Sequence, residues 1–207
     1  MNSIILLGAG GHCKSCIDVI EKGKNFYIKG IVDKDCNNEK LEFMGYKILG
    51  DDTNIRACFG EDDYGLVCVG QIKSAEIRIK LFSLLKNNSI KIATVKSKYS
   101  LISDNCDIDE GTVIMHNCVI NSGARIGRNC IVNTNSIIEH DVFINDHSHI
   151  STGVIVNGHV QIGQGTFIGS GVIIKEGVSI GDKVLISAGE IVLDNIPSGT
   201  IYKTSQT

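Results

Sequence analysis

From Ile102 to Val192 an isoleucine or valine stands at every sixth position, sixteen times in unbroken register. The position after each favours Gly, Asn, Asp or Ser, as at Asn121, Gly127, Asn133, Asn145, Asn157, Gly163, Gly169 and Gly181, residues that tolerate turn dihedrals. Two positions before each stands a small or β-branched residue, from Ser100, Cys106, Thr112 and Cys118 through to Val184, and only Glu190 breaks that row. A six-residue period that pairs one aliphatic with one small side chain predicts short strands, each turning a corner into the next, with both side chains packing a narrow interior. Residues 96–207 are therefore expected to form a parallel β-helix.

Residues 1–95 follow another pattern. The apolar run Ile4-Ile5-Leu6-Leu7 predicts a buried strand; Gly8-Ala9-Gly10-Gly11-His12 follows, then a helical pattern to about Glu21. Backbone amides at such a helix start attract phosphate, and glycines let the anion approach closely. A second strand, Tyr27 to Val32, ends at Asp33, where a carboxylate can accept from a ribose or base. A third strand, Leu66 to Val69, ends at Gly70-Gln71; a helix from about Ser74 to Lys86 precedes a last strand around Lys91 to Val95. Four strands make half of a dinucleotide fold, so an α/β Rossmann-like half domain is expected. Cys13 stands where the third glycine of a GxGxxG turn would be, which favours a mononucleotide or nucleotide-sugar over a nicotinamide coenzyme.

Charge and composition narrow the partners. A net charge of −3 with no basic run argues against nucleic acid or an anionic membrane. No stretch approaches 18 apolar residues and no basic leader opens the chain, so a cytoplasmic location is expected. There the eight cysteines would stay reduced. Cys106, Cys118 and Cys130 fall in the small inward row, where a thiol serves as a compact hydrophobe. Cys13 and Cys16 have CxxC spacing, yet they share a helical face with Ile17 and Ile20, which indicates core packing.

The hexad pattern resembles that of the left-handed β-helix acyltransferases, which implies a left-handed sense and three hexads, or 18 residues, per triangular coil. Gly8-Ala9-Gly10-Gly11-His12 at the front and the segment from Asn133 to Asp141 together resemble a narrower group. These are the nucleotide-sugar and sialic acid acetyltransferases of bacterial surface-glycan synthesis, similar to the PglD and NeuD proteins. The resemblance implies that Gly10, Gly11 and His12 meet the phosphates and that Asp33 meets the uracil or ribose, with Gly70, Gln71 and Arg78 nearby. It further implies a homotrimer with acetyl-CoA in a groove of the β-helix, and His140 as base with the acidic Asp141 after it. Asn133 and His149 would lie near the acetyl group, and Ser170 and Ala188 beside the pantetheine arm. Relatives end on a glycine-asparagine-proline-alanine stretch over the adenine; here the tail from Ile196 to Thr207 lacks the Pro-Ala part.

The residues support this chemistry independently. Attack of a protonated amine or a weak hydroxyl on a thioester needs a positioned base with a pKa near 7. His140 lies two beyond Ile138, on the outside of the coil, and Asp141 or Glu139 is placed to fix its tautomer. Gly158, one coil above, is expected to leave room for the thioester. His149, half a coil on, lies on a different side of the prism. Zinc bound by His140, His147, His149 and His159 is not expected, because the histidine spacing of β-helical carbonic anhydrases is absent. His116 and His159 are expected at the surface without a role.

The activity expected is acetyl-CoA-dependent N-acetylation of the 4-amino group of a UDP- or dTDP-linked 4-amino-4,6-dideoxy sugar. Sialic acid O-acetylation is the alternative within the class; a non-catalytic β-helical scaffold or nucleotide-binding regulator is the alternative outside it.

Overall fold

A computed structural model describes residues 1–34 and 42–203. The first unit runs β1 (Asn2–Leu7), α1 (Gly11–Gly23), β2 (Phe26–Val32), β3 (Glu42–Phe43), β4 (Tyr46–Gly50), α2 (Ile55–Cys58), β5 (Tyr64–Val67), α3 (Glu76–Asn87) and β6 (Lys91–Ile92). Its sheet has the order β3-β4-β2-β1-β5-β6. All neighbours are parallel except the β3–β4 hairpin. The four expected strands are present, and β3 and β4 are additional. Their turn is Met44-Gly45, both with positive φ, 51° and 81°, as a two-residue hairpin loop with matching twist requires. A methionine at the first of these positions carries no turn signal.

Strand β1 is buried on both faces. Ile4, Leu6, Ile31 and Leu66 pack with Cys13, Cys16, Ile17 and Ile20 of α1, which places both CxxC thiols in the core. Ile5, Leu7, Val32 and Val67 pack on the opposite face with Ile55 of α2 and Leu81, Phe82 and Leu85 of α3. Because β2 flanks β1 on one side and β5 on the other, the strand order reverses at β1, and the carboxyl ends there are the usual ligand position in such sheets.

Eighteen two-residue strands follow, β7 (Val95–Lys96) to β24 (Ile201–Tyr202), in sheets of seven, six and five. Each strand pairs in parallel with residues one 18-residue coil on: Val113 with Ile131, Ile137 with Ile155, Phe143 with Gln161. The repeat aliphatics from Ile114 to Val192 are buried. The tail completes the stack, with Ile201–Tyr202 pairing against Leu185–Ile186.

The small row has a polar task as well. Buried hydroxyls donate to carbonyls fifteen residues on: Thr112 to Gly127 (2.7 Å), Ser136 to Ser151 (2.7 Å), Ser148 to Gly163 (2.7 Å) and Thr166 to Gly181 (2.8 Å). Cys118 and Cys130 make the same contact with Asn133 (3.1 Å) and Asn145 (3.3 Å). These thiols are therefore corner donors, a weaker version of the hydroxyl, and more than compact hydrophobes.

The three outer faces differ. On the first face Val113, Ile131 and His149 are buried where the N-terminal unit docks through α1 and α3. Asp18 of α1 contacts His116 Nε2 at 2.7 Å, and Lys86 of α3 contacts Glu110 at 2.8 Å. The second face presents Leu101, Val119, Ile137, Ile155, Ile173 and Ile191, an aliphatic ladder with Leu101, Ile173 and Ile191 exposed. The third presents Asp107, Arg125, Phe143, Gln161 and Ser179, a predominantly polar set. No helix among the described residues is long and apolar enough to cross a membrane.

Candidate active site

The corner after Ile138 holds Glu139, His140 and Asp141. Asp141 has φ 58°, a left-handed conformation that aspartate and histidine enter more readily than most non-glycine residues. His140 Nδ1 lies 2.9 Å from Asp141 Oδ2. In the neutral ring Nδ1–H donates to the carboxylate and the Nε2 lone pair remains free. This hydrogen bond raises the His140 pKa above its ordinary 6.5 and lowers that of Asp141. Glu139 instead accepts from Asn121 Nδ2 at 2.9 Å, so Asp141 alone of the two holds the tautomer.

Two glycines seat this pair. A Cβ on Gly158 would stand 2.6 Å from His140 Cε1. The imidazole itself therefore fills the space that the sequence suggested was left for a thioester. A Cβ on Gly123, one coil below, would strike the Asp141 carboxylate. Gly123 was legible only through the 18-residue period, as the residue stacked under Asp141. On the neighbouring coil, the His159 ring stands edge-on to that of His140, with centroids 5.1 Å apart.

A second group gathers at the carboxyl end of the N-terminal sheet. Gly8 adopts φ 106°, and a Cβ there would lie 2.6 Å from Val69 Cγ2, so this turn position requires glycine. Gly10 caps α1 without a side-chain hydrogen bond, and the space beside Gly10 and Gly11 is open. The Asp33 carboxylate accepts from the Ala9 amide at 2.5 Å, which fixes the turn beside the helix start. Gly70 packs against His12, with 3.5 Å between a Cβ at Gly70 and that of His12. Gly10, Gly11, His12, Asp33, Gly70 and Gln71 thus lie together at this end of the sheet. Arg78 does not join them. It is fully buried, with its guanidinium on the Val67, Val69 and Asn129 carbonyls and Asn129 Oδ1. It is a strap between α3 and the β-helix, with no surface for a substrate.

His149 joins the two units. Its Nδ1 lies 2.7 Å from the Gln71 carbonyl, and Gln71 Nε2 donates to the Gly165 carbonyl at 3.2 Å. Burial pushes the His149 pKa down to about 4, so near neutrality its ring is uncharged, with Nδ1–H donating and Nε2 an acceptor. Asn133 Nδ2 stands 3.5 Å from that Nε2. The His12 ring centroid is 6.4 Å away. Among the described residues, His12 Nε2, Gln71 Oε1 and Arg78 Nε are buried without a hydrogen-bond partner; the first two, beside the glycine turn, invite a ligand group. Along the same edge Ser170 Oγ meets Ser151 Oγ at 2.9 Å, and Ala188 is exposed. The other histidines are structural: His147 Nδ1 meets Asn129 Nδ2 at 3.0 Å under α3, and His116, expected at the surface without a role, bridges Ser97 and Asp18.

The predicted site residues therefore fall at the two edges of the aliphatic second face. Asn133, Ser170 and Ala188 precede its strands, with His149 and the Gly10–His12 turn of the N-terminal unit beside them; His140, Asp141 and Gly158 follow them. The hexad period does not predict the aliphatic ladder between the edges; its signal is an apolar residue every eighteen positions from Leu101 to Ile191.

The family model of the PglD N-terminal domain matches residues 3–85, and that of the hexapeptide repeat of succinyl-transferase matches residues 159–194. Among curated proteins none matches the chain. The acetyltransferase domain of PglB from Neisseria gonorrhoeae is a structural neighbour with TM-score 0.87 and 24% identity over 97% of this chain and 96% of its own. A variant of perosamine N-acetyltransferase from Caulobacter crescentus, in complex with CoA and GDP-perosamine, has TM-score 0.89 and 22% identity over 96% and 92%. WeeI from Acinetobacter baumannii has TM-score 0.80 and 22% identity over 95% and 94%. Residues 3–85 thus match a PglD N-terminal domain and are joined to a β-helix whose residues 159–194 match the hexapeptide repeat, the architecture implied by the resemblance to the PglD/NeuD-like group.

Proposed function

We propose that the protein is an acetyl-CoA-dependent N-acetyltransferase that acts on the 4-amino group of a nucleotide-linked 4-amino-4,6-dideoxy sugar in bacterial surface-glycan synthesis. The observation that carries this reading is the His140–Asp141 pair, an exposed imidazole with a raised pKa and a fixed tautomer, on a fold shared with sugar acetyltransferases. His140 Nε2 takes the proton as the amine nitrogen attacks the thioester carbonyl; a C–N bond forms, the C–S bond breaks, and the imidazolium returns the proton to sulfur so that CoA leaves as the thiol. Asp141 steadies the imidazolium. Holding both substrates in one groove removes the need for an acyl-enzyme.

The acceptor's nucleotide binds at Gly10, Gly11, His12, Asp33, Gly70 and Gln71, and the donor lies along Asn133, His149, Ser170 and Ala188. Three copies packed through their aliphatic second faces bring the His140 edge of one subunit to the Asn133 edge of the next, so each site needs two subunits. Because a neighbour binds a GDP-linked sugar, GDP joins UDP and dTDP as a candidate for the nucleotide.

The test is thiol release from acetyl-CoA, with UDP-, dTDP- and GDP-linked 4-amino sugars and free sialic acid offered in parallel. Turnover with one nucleotide amino sugar is the expected result. Turnover with sialic acid alone would replace N-acetylation by O-acetylation, and absence of CoA binding would refute the enzyme reading.

A further inference from the structure

We propose that His140, Asp141 and His159 form a binding site for a divalent transition-metal ion of the zinc type, and that its occupancy silences the proton acceptor of the acetyl-transfer site. The second half rests on the function proposed above; the binding site does not.

The three side chains come from two successive coils. Asp141 and His159 both occupy left-handed corner positions, with φ 58° and 59°, and the His159 amide donates to the His140 carbonyl at 3.1 Å. Backbone stacking therefore fixes the three relative to one another before any ion arrives. Asp141 Oδ2 is 2.9 Å from His140 Nδ1 and 3.9 Å from His159 Nδ1, and one ligand atom from each residue lies within 4.8 Å of the others. Tetrahedral zinc with bonds near 2.0–2.1 Å places its ligand atoms about 3.4 Å apart. The observed spacings bracket that value, so small side-chain rotations close the site.

Chemistry selects the ion class. Two imidazoles and one carboxylate suit zinc, cobalt, nickel or copper rather than the oxygen-seeking calcium or magnesium. Glu139 and Glu176 add negative potential at His140, and all three ligands are exposed, which leaves the site accessible and a fourth coordination position free. The remaining β-helix histidines are engaged elsewhere: His116 with Asp18, His147 with Asn129, His149 with Gln71.

The consequence follows from tautomers. A neutral imidazole carries one ring proton, and on His140 it lies on Nδ1, toward Asp141. A cation bonded to Nδ1 takes that place, and the proton moves to Nε2. Nε2 then has no lone pair for the incoming amine, so the base is lost without any change of fold.

Cobalt(II) tests the site directly when titrated into the purified full-length chain. The expected result is a visible d–d spectrum without thiolate-to-cobalt charge transfer, bleached by competing zinc. His159→Asn suits the left-handed backbone and lies outside the proton transfer. It should weaken cobalt binding at least tenfold, since even removing a residue that only supports a ligand costs roughly 10–100-fold, while acetyl transfer persists and becomes insensitive to zinc. Absence of a cobalt spectrum, a spectrum unchanged in His159→Asn, or thiolate charge transfer would each overturn the site. Wild-type turnover indifferent to zinc at concentrations that displace cobalt would overturn the switch. Because the cobalt spectrum needs no sugar, failure of the metal site and failure of the acetyltransferase reading are separable.

Discussion

At the scale of single residues, the central relation is between His140 and its neighbour in sequence. Asp141→Asn exchanges the carboxylate that raises the His140 pKa for a neutral amide. A base must be unprotonated to act, so the acid limb of kcat/KM in the wild type should lie above the ordinary histidine value of 6.5. In the variant the limb should move to lower pH while the plateau falls. A pH–rate profile checks this, and a limb that stays in place contradicts it. The pair was legible in the sequence because its members are adjacent and the hexad register points them outward. Arg78 was not: a basic residue near a nucleotide turn reads the same whether it meets a phosphate or, as here, backbone carbonyls beneath α3. Only the docking of α3 on the β-helix separates the two.

At the scale of elements, the hexad repeat is plain in the sequence because every strand of the β-helix repeats one environment, so a six-residue signal recurs sixteen times. The β3–β4 hairpin was invisible because one loop with Met at a left-handed position has no repetition to reinforce it. The junction between the units was also hidden, since it depends on which coil meets which loop. His149 carries that junction through the Gln71 carbonyl, and its burial has a cost in acid. Its folded-state pKa, near 4, lies below the unfolded value of 6.5. As pH falls below 6.5 the unfolded chain takes the proton first, so stability is lost from there down to about 4. The shift corresponds to about 3 kcal/mol over the full window. His147 shifts in the same direction, so the comparison is between proteins: His149→Gln should lose less stability between pH 7 and pH 5 than the wild type, measured by urea midpoints. Equal losses would show that His149 titrates normally in the fold.

At the scale of the whole molecule, the three outer faces divide the work. One is covered by the N-terminal unit, one is largely polar, and the aliphatic face from Leu101 to Ile191 lies between the two halves of the candidate site. Exposed apolar ladders of this kind mark association surfaces. Ile155→Arg places a charge in the middle of that face. Sedimentation should show a trimer for the wild type and smaller species for the variant, with the circular dichroism of the β-helix unchanged and acetyl transfer lost. A monomeric wild type, or an active variant trimer, would contradict assembly through this face. The hexad period alone does not show that face, because an 18-residue spacing emerges only once three hexads are known to close one coil.

The most direct test of the account is turnover and nucleotide affinity measured side by side on His140→Ala. Loss of a general base predicts turnover lower by roughly 10²–10⁴-fold, with the affinity for the nucleotide, proposed to bind at Gly10–His12, nearly unchanged. Wild-type turnover in that variant would contradict the assignment of His140 as the base.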